Sequence, residues 1–156
     1  MEDQERSIPS TEIQDYVGFK YPYLLVDKIE KVIPGKEAIG IKNFTWNEWF
    51  FPVHFENDPL VPGNLIAEAM GQVLGFVIHA MPEYKKMKAY LVATDKLRLT
   101  GMVRPGDTMK TTATVKSFRR GMLIGHCVAE VEGNKVAMAD ISLLLEGITI
   151  ASPNNK

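Results

Sequence analysis

Two side chains stand out for their chemistry. His54 lies in the aromatic run Phe50-Phe51-Pro52-Val53-His54-Phe55, and Glu68 is the single acid in the first half of an otherwise apolar, helix-forming segment. Histidine titrates near neutrality and accepts a proton without strong perturbation, which suits a general base. A charge inside a buried helix is costly unless it is paired or neutralised, so Glu68 reads as a proton donor kept where the ionised form is disfavoured. The bland alternatives are a core histidine bonded to backbone and a carboxylate paired with a lysine. The aromatic flank of the one and the apolar neighbours of the other favour an acid and base acting together. Gln72 falls one helical turn after Glu68 on the same face, where its amide either orients the carboxylate or is a polar residue at an interface.

These residues need a rigid frame. Pro62-Gly63 opens a helix that runs to His79 or Ala80, because proline has its φ preset for a first turn and glycine lets other groups approach the backbone. Leu65, Ile66, Ala69, Met70, Val73, Leu74, Phe76 and Val77 occupy nearly every angle around its axis, so something must wrap it. The wrapping is β. A hairpin is expected from Leu24–Ile33 and Glu37–Phe44 about the turn Pro34-Gly35-Lys36. Four further strands are expected at Ala89–Leu99, Thr108–Phe118, Met122–Val131 and Lys135–Leu145. Arg119-Arg120-Gly121 and the two-residue loop Gly133-Asn134 make the last three an antiparallel meander. Ser10–Gly18 carries a capping residue, early acids and a closing glycine, the signature of a short helix. The expected class is α+β, a curved antiparallel sheet wrapped around one long helix.

Composition sets the outer bounds. A chain of 156 residues with 46% hydrophobic content is one domain with a full core. Residues 1–9 are expected as a loose acidic arm, 10–150 as the domain and 151–156 as a frayed tail. The net charge of −1 gives no general drive toward nucleic acid or membrane. The longest apolar segment, Val73–Met81, falls far short of the roughly 20 residues that span a bilayer. The start of the chain lacks the basic and apolar regions of a secretory signal. The lone Cys127, in an alternating apolar run, fits a small buried residue in a reducing compartment, and the cytoplasm is the expected location. His79, near a helix C-terminus that favours positive charge, and His126, in a strand with no acid beside it, are assigned structural roles. The histidines are too scattered for a metal site, and no phosphate loop, dinucleotide fingerprint or serine nucleophile motif occurs.

Three separated segments carry a family resemblance: KYPYLLVDKI from Lys20 to Ile29, FF-x-x-HF-x-x-DP-x-x-PG-x-L-x-x-EAM-x-Q from Phe50 to Gln72, and VRPGD from Val103 to Asp107. In this order they resemble the hot-dog-fold 3-hydroxyacyl-acyl-carrier-protein dehydratases of the FabZ and FabA types. The fourteen-residue step from His54 to Glu68 matches the catalytic pair of that family. The resemblance implies a hot-dog fold and dehydration of a 3-hydroxyacyl thioester borne on the phosphopantetheine of an acyl carrier protein, with no cofactor held by the protein itself. It also implies a homodimer or higher oligomer, or a heterodimer with a second hot-dog subunit, in which His54 of one subunit faces Glu68 of the other.

Within that chemistry His54 takes the α-proton and Glu68 protonates the leaving hydroxyl. The N–H of Gly63, at a helix N-terminus, receives charge from the thioester oxygen, although this glycine equally suits a purely steric role at the turn. Leu60 and Asn64 join Gly63 and Gln72 as candidate substrate contacts. The loop departs from the FabZ pattern, with Val53-His54-Phe55-Glu56-Asn57 for Gly-His-Phe-Pro-Gly and Val61-Pro62-Gly63-Asn64 for Met-Pro-Gly-Val, while Asp58-Pro59 is closer to FabA. The glutamate at 68 is FabZ-like and favours dehydration over double-bond isomerisation. The altered loop points to a specialised setting such as polyketide or polyene synthesis. Lys85, Lys86, Lys88, Lys96, Arg98, Arg119 and Arg120 are candidates for a basic mouth that meets an acidic carrier protein. A silent subunit supporting an active partner and a hot-dog thioesterase are the rival readings.

Overall fold

The computed structural model describes residues 4–147. Its strands are β1 (Arg6–Ile8), β2 (Lys28–Ile33), β3 (Glu37–Asn43), β4 (Ala89–Leu99), β5 (Thr108–Arg119), β6 (Met122–Val131) and β7 (Asn134–Leu145). Its helices are α1 (Ile13–Tyr16) and α2 (Gly63–His79), with single 3-10 turns at Ser10–Glu12 and Pro82–Tyr84. The strands form one seven-stranded sheet in the order β1-β2-β3-β5-β6-β7-β4, antiparallel throughout. This is the hot-dog architecture, with the sheet curved around α2.

The all-round apolar character of α2 is matched by its surroundings, since thirteen of its seventeen residues are buried. Burying a Leu, Ile or Phe side chain contributes about 2 kcal/mol, so this helix anchors the core. It approaches the sheet closely because β3 and β6 each have a glycine beneath it. A Cβ on Gly40 would collide with Val73, and one on Gly125 with Leu74.

Several sequence expectations need correction. The N-terminal arm is not loose from residue 6 onward: β1 pairs with β2, and Ile8 is fully buried. The Arg6 guanidinium donates to the carbonyl of Ala80 at the end of α2. The helix expected over Ser10–Gly18 is a 3-10 turn followed by the one-turn α1, and Ser10 provides no capping bond. The first hairpin strand begins at Lys28 rather than Leu24, because the main chain of residues 23 and 25 is bonded to the Gln72 side chain instead of a neighbouring strand. The tight β6–β7 loop is Glu132-Gly133, with φ of 51° and 75°, one residue earlier than expected. The β5–β6 loop, Arg120-Gly121, has the same left-handed pair at 50° and 74° and fits its sequence cue. The tail expected at 151–156 lies outside the described residues.

Chain order and sheet order disagree at β4. It follows α2 yet lies at the far edge, paired only with β7. Tyr90, Leu91, Val92, Leu97 and Leu99 on this strand are 36–52% exposed. An eleven-residue edge strand with apolar side chains and one free edge is a surface on which another strand can pair.

Candidate active site

His54 sits in the connection between β3 and α2, and every part of that connection is tied down. Phe50 and Phe51 are buried anchors, packed edge to face at 4.8 Å. Lys42 forms a buried ion pair with Glu48 at 2.6 Å. Phe55 and Asp58 exchange main-chain hydrogen bonds at 2.9 and 3.1 Å, and Leu60 N–H donates to the His54 carbonyl at 2.8 Å. The VRPGD segment clamps this turn from outside. Arg104 Nη1 donates to Asp58 Oδ1 at 2.6 Å and to the Pro59 carbonyl at 3.3 Å, while Val61 N–H donates to the Val103 carbonyl at 2.9 Å. Asp107 Oδ2 in turn accepts from the Arg104 N–H at 2.8 Å.

The clamp fixes the imidazole. Nδ1 of His54 lies 3.1 Å from the Leu60 carbonyl oxygen. A carbonyl only accepts, so Nδ1 carries the hydrogen and Nε2 is left as the basic nitrogen. His54 borders a cavity with Leu60, Val61, Gly63, Ile66, Leu99 and Met102. Gly63 begins α2 with its N–H unpaired, since the first bonded amides are Leu65 and Ile66, both donating to the Pro62 carbonyl. A Cβ on Gly63 would collide with Leu99 Cδ1, so glycine also keeps this wall open. Leu60, expected as a substrate contact, lines the cavity and holds His54 through its carbonyl. Asn64 is exposed, and it borders neither this cavity nor the one beside Glu68.

Glu68 is half-buried in the second turn of α2 and lines that other cavity, with Tyr23, Gln72, Gly75, His79 and Leu91 among its neighbours. Gln72 donates through Nε2 to Glu68 Oε1 at 2.9 Å and to the Tyr23 carbonyl at 2.8 Å, and its Oε1 accepts from Leu25 N–H at 2.7 Å. The amide is therefore pinned by main chain and in turn points the carboxylate. The Tyr23 ring is half exposed, yet its phenol is held partly out of water beside Glu68. Its pKa is raised, by burial first and then by the charge and hydrogen bonding of Glu68.

Within one protomer, then, the structure groups His54, Leu60 and Gly63 in one place and Glu68 and Gln72 in another, and the two cavities share no lining residue. Both open along β4, the first at its Leu99 end and the second at its Ala89–Leu91 end.

Two histidines assigned structural roles have chemical surroundings that the linear pattern did not reveal. His79 lines the Glu68 cavity, and burial lowers its pKa, so it does not serve the helix terminus as a cation. Its place at 68, 72, 75 and 79 along one face of α2 is the signal that was available. His126 does have an acid beside it: Asp140, on the neighbouring β7, at 2.8 Å from Nδ1. Hydrogen bonds from His126 and Lys116 hold the Asp140 pKa below the usual carboxylate range. Among the described residues, no group of three or more His, Cys, Asp and Glu is arranged to hold a metal ion, and no helix is long and apolar enough to cross a membrane.

The basic residues fall into separate groups. Main-chain bonds from Leu145 to Gly121 and from Glu146 to Lys88 bring the Arg119-Arg120 turn beside Lys85, Lys86 and Lys88. Lys96 and Arg98 instead border an outer-face cavity with Lys116 and His126.

A hot-dog fold with a histidine and a glutamate at one open sheet edge defines a class, and the chain belongs to it: the FabA-like domain family matches residues 19–140. Its relatives are more particular. The 3-hydroxyacyl-[acyl-carrier-protein] dehydratase FabZ of Enterococcus faecalis is 38% identical over 135 residues, covering 86% of this chain and 96% of that protein. Its counterpart in Ligilactobacillus salivarius is 34% identical with the same coverage. Among solved structures, the dehydratase heterocomplex ApeI:P from Xenorhabdus doucetiae has a TM-score of 0.77 at 12% identity, covering 91% of this chain and 93% of that one. A hypothetical thioesterase from Streptococcus pneumoniae, solved with coenzyme A, has a TM-score of 0.59 at 10% identity, covering 78% of this chain and 87% of that one. These two likenesses are of fold alone.

Proposed function

We infer that the protein dehydrates a 3-hydroxyacyl thioester, delivered on an acyl carrier protein, to the 2-enoyl thioester in fatty acid synthesis; its FabZ relatives are named as 3-hydroxyacyl-[acyl-carrier-protein] dehydratases, which supports this reading. The reaction site is composite. The observation that carries this reading is that His54 and Glu68, each held by hydrogen bonds, lie at opposite ends of one edge strand that pairs on one side only. If β4 pairs with the β4 of a two-fold-related subunit, antiparallel alignment sets the Leu99 end of one strand against the Ala89 end of the other. His54 of one protomer then lies across from Glu68 of its mate.

Nε2 of His54 takes the proton from C2, and the electron pair left behind forms the C2–C3 double bond as the C3–O bond breaks. Glu68 donates its proton to the departing hydroxyl, which leaves as water. Charge that builds on the thioester oxygen meets the unpaired Gly63 N–H, a contribution worth about 3 kcal/mol in comparable oxyanion sites. The proton gained by His54 then passes to Glu68, directly or by release to solvent matched by uptake at Glu68, which resets the pair.

The carrier protein would meet the end of the sheet where Lys85, Lys86 and Lys88 adjoin Arg119 and Arg120. Part of this charge is already engaged, with Lys88 Nζ 3.4 Å from Glu146 and Lys85 Nζ 4.7 Å from the Tyr16 ring centre. One experiment tests both statements: incubation with a 3-hydroxyacyl group on carrier protein or on free pantetheine, followed by product identification. Enoyl thioester and water are expected, with faster turnover of the carrier-bound form. Free thiol as the product would replace dehydration with hydrolysis, and equal rates on both supports would remove the basic surface from the docking role.

A further inference from the structure

The cavity beside Glu68 does not end on hydrocarbon. Glu68, Gln72, Gly75 and His79 line it from one face of α2, with Gly75 leaving the helix surface bare between the Gln72 amide and the imidazole. The eleven-residue step from Glu68 to His79 corresponds to ~16 Å of helix. Phe19, Leu91 and Leu143 supply apolar walls. Such a trough suits an acyl chain whose C3 is held at Glu68, and His79 stands where the chain's far end would lie.

His79 is only 4% exposed, and its Nδ1 lies 3.0 Å from the Tyr84 carbonyl oxygen. That carbonyl can only accept, so the hydrogen is on Nδ1. Burial lowers the pKa of the ring against the smaller opposing effect of this hydrogen bond, which leaves Nε2 a neutral acceptor. Among the described residues, Nε2 meets no hydrogen-bond partner. It faces the bare stretch of helix, 3.5 Å from where a Cβ on Gly75 would be. Among the described residues, the only fully enclosed side-chain nitrogen or oxygen without a partner is Glu48 Oε2, so Nε2 of His79 opens onto the cavity. A hydrocarbon tail that displaced water from it would leave this acceptor unpaired, whereas a tail ending in O–H would satisfy it.

We propose that His79 reads the distal end of the acyl chain and selects 3-hydroxyacyl thioesters whose tail ends in a hydroxyl, alcoholic or phenolic, over those ending in methyl. This substrate class rests on the dehydratase reading and deepens it. His79 is a specificity residue and takes no part in the proton transfers.

The test uses the full-length protein and matched 3-hydroxyacyl pantetheine thioesters long enough to span the ~16 Å to His79, one ending in methyl and one in hydroxyl. A 3-hydroxybutyryl thioester, too short to reach His79, serves as reference. For wild type, kcat/KM is expected to favour the hydroxyl tail by roughly tenfold or more, the effect of one stranded acceptor. His79→Leu should bring that ratio close to one, and His79→Gln, which keeps an acceptor, should retain part of it. Equal kcat/KM for both tails in wild type, or an undiminished preference in His79→Leu, would overturn the assignment. Because the readout is a ratio between two tails on one protein, a general loss of activity does not imitate it, and the wild-type pair decides alone if a variant fails to fold. Absence of enoyl product even from the short reference would instead strike at the dehydratase reading.

Discussion

At the scale of single residues, Gln72 joins fold to chemistry. One side-chain amide satisfies the Leu25 N–H and the Tyr23 carbonyl and still donates to Glu68. Gln72→Leu keeps the volume but leaves those main-chain groups without partners and the carboxylate without its guide. A stability loss of about 2 kcal/mol is expected, read from the urea midpoint. A fall in kcat with little change in KM should accompany it, as for a residue that positions the acid. An unchanged kcat would mean that Glu68 is held by something else. His54, Glu68 and Gly63 stand out in the sequence because each is an anomaly in its own neighbourhood: a polar group among aromatics, an acid in an apolar helix, a glycine at a helix start. The surroundings of His79 and His126 are harder to read. One is marked only by sharing the α2 face of Glu68 and Gln72 in a helix buried on most sides, and the other finds its acid on the adjacent strand, Asp140 of β7.

At the scale of elements, His54 is positioned by a loop and Glu68 by a helix, and the loop needs an external clamp. Arg104 supplies it from the β4–β5 connection, yet its pair with Asp58 is solvent-exposed, at 44% and 58% of the two side chains. Exposed pairs contribute little to folding, so Arg104→Ala should alter stability by less than about 1 kcal/mol. Loss of loop placement should nevertheless lower turnover by about ten- to a hundredfold, since small displacements of a reacting group are costly. Thermal unfolding and initial rates on the same preparation separate these effects, and a rate that merely tracks the stability loss would refute the clamp. The long elements were readable from periodicity and turn residues, including α2 and the meander β5-β6-β7. β1 escaped because three residues carry too little pattern, and its strand character is conferred by pairing with β2. The start of β2 was misjudged because the hydrogen-bond partner of Leu25 is a side chain 47 residues later, which no local window contains.

At the scale of the whole molecule, the sheet ends on a strand whose exposed Tyr90, Leu91 and Leu99 border the two half-sites, so assembly and catalysis become one question. The fold-level outline was available from periodicity and turn residues, whereas the separation of His54 from Glu68 within a protomer was implied only by the family resemblance, because spacing along a chain says nothing of which side of an edge strand each group reaches. A composite site makes a demand that a self-contained site does not. His54→Ala and Glu68→Gln should each abolish enoyl formation when pure. Co-expressed or refolded together, they should regain activity, because a mixed dimer contains one site with both native residues, giving about a quarter of the wild-type rate under random two-fold pairing. No recovery in a mixture shown to contain mixed dimers would place the acid and base of each site on the same chain, contrary to the arrangement proposed here.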